Sequence, residues 1–432
     1  MPRTPRTPEE SALLETARRL LPSGVRNATA SPDHAMVVAE ARGAHIRDVS
    51  GNEYIDYLLG SGPMVLGHAH PAVVEAVRQQ LERGNTYLMV NEPAIRLAEE
   101  IVRLVPCAER VSFHSAGSES TFFALRVARA YRKRDVILKF EGGFHGMSDY
   151  ALMSNQWTHR PADYPTAVPN SAGIPASIAD GVLVAPFNDA ASTTALIDEH
   201  HDTLAAVIVE PLQRTIRPQP GFLEALRAVT ARYDVPLIFD EVVTGFRLGL
   251  GGAQEYYGVT PDLCALGKSI SGGHPISVLC GRKELMRHID PFEAGRGGYV
   301  MQTGTYSGNP VSCAAALAAI GVLCEDDTYT RLFATGQRLM TGLGDALTAA
   351  GIPAQVLGEP PCFEVWFGAD PITDFRSMLA SDRGLHMRFT ELLLDHGIVK
   401  GHEKFFVSLA HTDEDVRRTL DVFHTVAAQL KP

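Results

Sequence analysis

The chain has 432 residues, enough for two to four domains at roughly 100–200 residues each. Hydrophobic residues make up 45 % and charged residues 21 %, which excludes a disordered or collagen-like chain. Lys and Arg total 39 against 50 Asp and Glu, a net charge of −11; with no basic stripe and no apolar run of about eighteen residues, neither nucleic acid nor a membrane is expected as a partner.

Residues 9–21 carry helical spacing and stop at Pro22-Ser23-Gly24. Val37-Val38-Ala39 and His45-Ile46-Arg47-Asp48 flank a short turn, and 48–56 reads as strand, turn, strand. Helices are predicted over 71–83 and 93–105, each opened by Pro. From residue 110 short apolar runs at 110–114, 136–140, 182–185, 206–209, 236–239, 263–266 and 278–280 alternate with helical stretches such as 118–132, 190–198 and 221–233. Strand and helix in alternation imply a mostly parallel sheet covered on both faces, an α/β fold. Helices are predicted again at 310–323, 329–349, 387–396 and 413–430, with short strands at 363–367 and 405–409. The reading is a large domain over 61–320 and a smaller α+β domain assembled from 1–60 and 321–432.

The N-terminus lacks the apolar stretch of a signal peptide. The 6 Cys form no CxxC pair and read as reduced, mostly buried thiols of a cytoplasmic protein. His68-Ala69-His70 reads as a turn with locally satisfied rings, so no metal site is expected.

Five places carry possible chemistry. Asp240 ends the apolar run 236–239, where open parallel sheets present ligand-binding groups. Lys268 follows the run 263–266 and Gly267; crowding by strand ends lowers an amine's pKa and makes it nucleophilic. A Walker A loop is rejected there, because Asp262 stands where its first Gly is required. Ser115-Ala116-Gly117-Ser118-Glu119 links a strand to a helix and suits an anion. Glu141-Gly142-Gly143-Phe144-His145-Gly146 puts an aromatic ring between glycines, and 302–310 sets Thr305 before a helix.

Each has an ordinary explanation taken singly: a loop acid, an N-cap at Ser118, a core Phe, a turn. Together they fit one planar, phosphorylated aldehyde with a basic ring nitrogen, pyridoxal 5′-phosphate. Lys268 would hold its aldehyde carbon as a Schiff base, and Asp240 would keep its ring nitrogen protonated. Phe144 would stack on the ring, with Val242 on the other face. Gly117, Ser118 and Thr305 would take the phosphate.

Ser-Ala-Gly-Ser-Glu, Gly-Phe-His-Gly, Val209-Glu210-Pro211, Phe239-Asp240-Glu241-Val242, Gly245-Phe246-Arg247, Leu266-Gly267-Lys268 and Gly304-Thr305-Tyr306-Ser307-Gly308-Asn309-Pro310 occur in this order. In this the chain resembles the class III pyridoxal-phosphate aminotransferases of fold type I. The resemblance runs over about residues 11–427. It implies a homodimer with active sites shared between subunits, Thr305 reaching the partner's phosphate, and Glu210 and His145 beside the cofactor. The expected reaction moves an amino group between an amine or amino acid and a keto acid or aldehyde, in ping-pong order.

Within the class the chain is similar to the glutamate-1-semialdehyde 2,1-aminomutases and the D-phenylglycine-type transaminases. Three features depart from the aminomutase pattern. Ser61 replaces its Trp, Arg26-Asn27 displaces its carboxylate-binding Arg, and Ser271-Gly272-Gly273 replaces a triple glycine. Transfer between molecules is therefore ranked above isomerisation, a same-fold racemase or lyase, and a non-catalytic cofactor-binding protein. Candidate substrate residues are Ser61, Tyr87, Arg26, His274 and Glu403, with Lys400 either a carboxylate ligand or a solvated surface charge.

Overall fold

Seven strands pair into one sheet in the order Arg110–His114, Ser277–Gly281, Leu263–Leu266, Leu237–Glu241, Leu204–Val209, Val136–Phe140, Val182–Ala185 in the computed structural model, which describes residues 3–22, 32–156, 162–295 and 297–430. Ser277–Gly281 is antiparallel to both of its neighbours. The other pairs are parallel. Running antiparallel to one common neighbour gives Arg110–His114 the same direction as Leu263–Leu266. The residues that follow His114, Phe140, Val209, Glu241 and Leu266 therefore leave the sheet at one edge.

The strand sequences follow from burial. Every residue of Leu204–Val209 and Leu237–Glu241 is buried, as expected for parallel strands covered on both faces. The helix Gly117–Arg132 sets Ala124, Val127 and Ala128 against Ile208, Ile238, Leu263 and Leu279. Each fully buried Ile or Leu there contributes about 1.5–3 kcal/mol.

This sheet belongs to the larger of two compact units, Ala72–Cys324 with Ile372–Leu379. The second stretch lies within the 321–432 assigned from sequence to the other domain. Its short helix Phe375–Leu379 is tied to the loop after Val136–Phe140. Gly142, at φ +81°, leaves room for the Phe375 ring, which a Cβ at that position would meet at 2.2 Å. Arg376 donates from Nε to Glu141 Oε2 at 2.7 Å.

The other unit comprises Met1–Pro71, Glu325–Pro371 and Ala380–Pro432. It holds a sheet of Val38–Arg42, His45–Asp48 and Glu53–Asp56, with Ile398–Val399 parallel to the last. A second sheet contains Ala354–Glu359, Cys362–Phe367 and Phe405–Phe406. Ala354–Glu359 is not among the strands expected from sequence; it pairs with Cys362–Phe367 across Pro360-Pro361, a dipeptide that reads as a break. The helix Arg383–Asp395 starts earlier than the expected 387, because Asp382 caps it by accepting from the Leu385 amide at 2.9 Å. Among the described residues no helix is long and apolar enough to cross a membrane.

Candidate active site

Asp240 and Lys268 rise from adjacent strands at the common edge. Asp240 is the register partner of Ala265, three residues before Lys268. It lies inside its strand rather than at the end of it, because Glu241 continues the ladder opposite Leu266. Successive strand residues face opposite sides, so Glu241 turns away from Asp240. Glu241 accepts from Thr244, Ala253 and Gln254, and burial pushes its carboxyl up to about 7. Lys268 is half-buried and opens the one-turn helix Lys268–Ser271 with φ +42°. A non-glycine residue in this left-handed region costs free energy, which active sites commonly hold in reserve.

The Asp240 carboxylate is 5 % exposed and is held at both oxygens. Its Oδ2 lies 2.8 Å from His145 Nδ1, and its Oδ1 accepts from the Val242 amide at 3.1 Å. His145 Nε2 is buried and has no hydrogen-bond partner among the described residues. The His145 carbonyl accepts from Thr121 Oγ1 at 2.6 Å, docking this loop on the helix Gly117–Arg132. Glu210, also buried, accepts the Phe144 amide on Oε2 at 2.9 Å. Phe144 itself remains 42 % exposed, between buried Gly143 and His145.

Several polar residues that sequence reasoning passed over fix the same loop. Lys139 is fully buried and donates to the carbonyls of Gly143 and Ala151 at 3.0 Å and to that of Met153. Burial drives its pKa down to about 7, opposed by Glu210. Gln213 Nε2 donates to Glu141 O at 2.7 Å and Arg214 Nε to Gly142 O at 2.9 Å. A charged residue inside the apolar run 136–140 is the one signal in the sequence that marks this cage.

The helix Gly117–Arg132 begins one residue before Ser118, so Ser118 is not its N-cap. Ala116 takes that position, and among the described residues no side-chain cap bond closes the helix start. A helix N-terminus left this way favours an anion. The backbone approaches closely here: a Cβ on Gly117 would lie 2.9 Å from Val242 Cγ1, and one on Gly146 2.6 Å from Ser118 Cα.

The remaining candidates are placed as follows. Thr305 is exposed in the loop before the helix Pro310–Leu323. Tyr87 spends its hydroxyl on its own segment, donating to Arg83 O at 2.6 Å and accepting from Gln80 Nε2 at 3.2 Å. His274 is half-buried, and burial holds its imidazole pKa below the usual value. Ser61 is exposed with φ +69°, and Glu403 is half-buried in the segment between Val399 and Phe405. Arg26 lies outside the described residues. Lys400 is neither a surface charge nor open to a carboxylate: it is fully buried and ion-paired to buried Glu364 at 2.6 Å. The adjacent strand Ile398–Val399 carries this stretch into the core.

A buried acid and a half-buried amine thus stand together at the carboxyl ends of parallel strands in an α/β sheet. The chain belongs to the aminotransferase class-III family, which it matches over residues 27–426. It is 40 % identical over 426 residues to the glutamate-1-semialdehyde 2,1-aminomutase of Methanothermobacter thermautotrophicus, covering 97 % of this chain and 99 % of that protein. Among solved structures it is similar to an omega-transaminase from Sphaerobacter thermophilus, with 36 % identity, TM-score 0.91 and 97 % of each chain covered. A transaminase with PLP bound is 27 % identical, with TM-score 0.90 and 99 % of each chain covered.

Pyridoxal 5′-phosphate is the cofactor of this enzyme class, and the residues present fit it. The uncapped helix start suits a phosphate, and glycines at 117 and 146 stand where a Cβ would strike Val242 and Ser118. An exposed aromatic ring adjoins the buried Asp240–His145 pair. The half-buried Lys268 sits one strand over.

Proposed function

We propose that the protein is an aminotransferase that moves an amino group between an amine or amino acid and a keto acid or aldehyde, with Lys268 and Asp240 as its catalytic pair. The observation that carries this is the buried Asp240, fixed by His145 and the Val242 amide one strand from Lys268. When bound, pyridoxal 5′-phosphate supplies an aldehyde carbon that takes up amino groups and a ring that withdraws electrons.

The Asp240 carboxylate would hold a proton at the ring nitrogen, and His145 keeps that carboxylate oriented. Lys268 is the amine that would hold the aldehyde carbon and the base that would take up and give back the proton of the substrate carbon bearing nitrogen, a double task that demands a pKa near working pH. Phe144 and Val242 would flank the ring, and Glu210 fixes the Phe144 backbone. Gly117 and Ser118, at the uncapped helix start, would hold the phosphate.

Thr305 completes the phosphate site of a second copy of the chain. Supporting this, Leu88, Met89 and Val90 are 75–81 % exposed and Tyr306 is 60 % exposed. Their two loops are joined by Asn309, which donates to Asn85 O at 2.7 Å. Such a run of exposed apolar side chains marks an interface.

Transfer between molecules is favoured by Ser61, a small exposed residue where the aminomutase pattern has Trp, and by the short stretch from Val399 to Phe405. Isomerisation is the second reading, favoured by the name of the relative at 40 % identity. A half-reaction separates them. Enzyme mixed with one amine and no acceptor should release a stoichiometric carbonyl product and retain pyridoxamine phosphate. Rearrangement of glutamate-1-semialdehyde, with no amine accepted from any other donor, would overturn the assignment to transfer.

A further inference from the structure

On the sheet face opposite to Asp240, three buried thiols converge. Cys264 is the register partner of Phe239 in one neighbouring strand and of Cys280 in the other. By strand alternation it shares the face of Glu241. Cys107 enters from the turn between the helix Glu92–Leu104 and the strand Arg110–His114. The three sulfurs all lie within 4.8 Å of one another, and each residue is buried and free of disulfide. Gln254 fixes the turn: its Oε1 accepts the Cys107 amide at 2.8 Å while its Nε2 donates to Glu241 at 3.0 Å.

We propose that Cys107, Cys264 and Cys280 form a three-sulfur binding site for one soft d10 metal cation. Sulfur ligands select thiophilic ions. A metal–sulfur distance of about 2.3 Å puts three ligands of one ion about 4 Å apart, so the observed grouping needs small side-chain rotations and no backbone movement. Packing alone asks only for small apolar side chains at these positions. Three separate segments each delivering a sulfur to one point is what packing does not require.

Binding replaces three S–H bonds with three metal–sulfur bonds. The three protons leave to solvent, and neither oxidant nor reductant takes part. The ion would tie the strands Leu263–Leu266 and Ser277–Gly281 to the turn at Cys107, on the opposite sheet face from Asp240 and beside the strand that carries it. Because the thiols are enclosed, the ion enters during folding.

The test uses the full chain with its cofactor, carrying Cys324→Ser to remove the exposed thiol, and produced in cadmium-supplemented medium. Expected are one cadmium per chain after desalting, a thiolate-to-cadmium charge-transfer absorption, and a coordination shell of three sulfurs by X-ray absorption. Cys107→Ser, Cys264→Ala and Cys280→Ala should each lower retained cadmium at least tenfold. Should a variant fail to fold, the sulfur coordination number of the Cys324→Ser protein decides alone. Absence of retained cadmium, fewer than three sulfurs, or retention unaffected by all three substitutions would overturn the site.

Discussion

His145 presents Nδ1 to Asp240 Oδ2 at 2.8 Å while its Nε2 is buried with no hydrogen-bond partner among the described residues. The imidazole is thus spent on orienting a carboxylate. Its remaining nitrogen faces the space beside Gly143, where a Cβ would approach within 3.1 Å. Partners that orient a first-contact group are commonly worth about tenfold to a hundredfold. His145→Ala should lower kcat by about that factor and leave the amount of bound cofactor near wild type. His145→Asn, which keeps a donor, should recover part of the loss. Steady-state kinetics with cofactor quantified by absorbance checks this; unchanged kcat in the alanine variant would remove His145 from the proposed role.

Lys268 is the one residue whose loss should end the chemistry. Lys268→Ala should reduce turnover to background and abolish the visible band of lysine-bound cofactor. Borohydride treatment of the wild-type protein should fix the cofactor mass on the peptide containing Lys268 and on no other. Label on a different lysine would refute the assignment.

Gly146 ties the aromatic loop to the helix start. Its φ of +94° disfavours any side chain, and a Cβ there would meet Ser118 Cα at 2.6 Å, backbone that cannot swing aside. Gly146→Ala combines a strained conformation, costing about 1–3 kcal/mol, with displacement of Ser118. Cofactor affinity should fall by about tenfold or more, with a smaller loss of melting temperature. An absorbance titration of the apoenzyme measures it, and wild-type affinity in the variant would show that the loop and helix do not hold the phosphate together.

The parts of this site that sequence made legible are those carried by local pattern. Continuous apolar runs mark the strands, and a charged residue at or just after such a run singles out Asp240 and Lys268 as candidates, although the strand of Asp240 extends through Glu241. Lys139 sits inside a run of the same kind, where it looks like an interruption; only the folded loop brings the Gly143, Ala151 and Met153 carbonyls around it. The helix Phe375–Leu379 joins the larger unit through contacts to Glu141 and Gly142, a sequence separation no periodicity spans. Lys400 fails for a related reason: its charge suggests solvent, but the parallel pairing of Ile398–Val399 with Glu53–Asp56 draws it into the interior.

That burial makes Lys400 and Glu364 a stability device with a testable asymmetry. Both side chains are fully enclosed and 2.6 Å apart, and Lys400 also donates to Gly401 O at 2.8 Å. Removing one partner of such a pair strands a charge and costs about 3–5 kcal/mol, while replacing both with apolar groups is close to neutral. Lys400→Met should therefore unfold at clearly lower denaturant than wild type, and Lys400→Met/Glu364→Leu should regain most of the difference. A double variant no better than the single one would show that the pair does not act as a unit.

The pair His45 and Asp415, 3.0 Å apart, predicts how stability should follow pH. The hydrogen bond to Asp415 raises the His45 pKa above its ordinary value. A raised histidine stabilises fully below its unfolded pKa of about 6.5 and loses that contribution as pH rises through the folded value. Burial pushes the Asp415 carboxyl up, but the bonds from His45 and Thr412 outweigh it and bring the pKa down to about 2. A depressed carboxylate stabilises above its unfolded pKa of about 3.9 and loses that contribution as pH falls through the folded value. Both terms are present together only between about pH 4 and 6.5. The stability difference between wild type and His45→Gln should therefore peak near pH 5 and shrink toward both pH 8 and pH 2. Urea unfolding across that range tests it, and a difference independent of pH would show that the pair carries no net charge interaction.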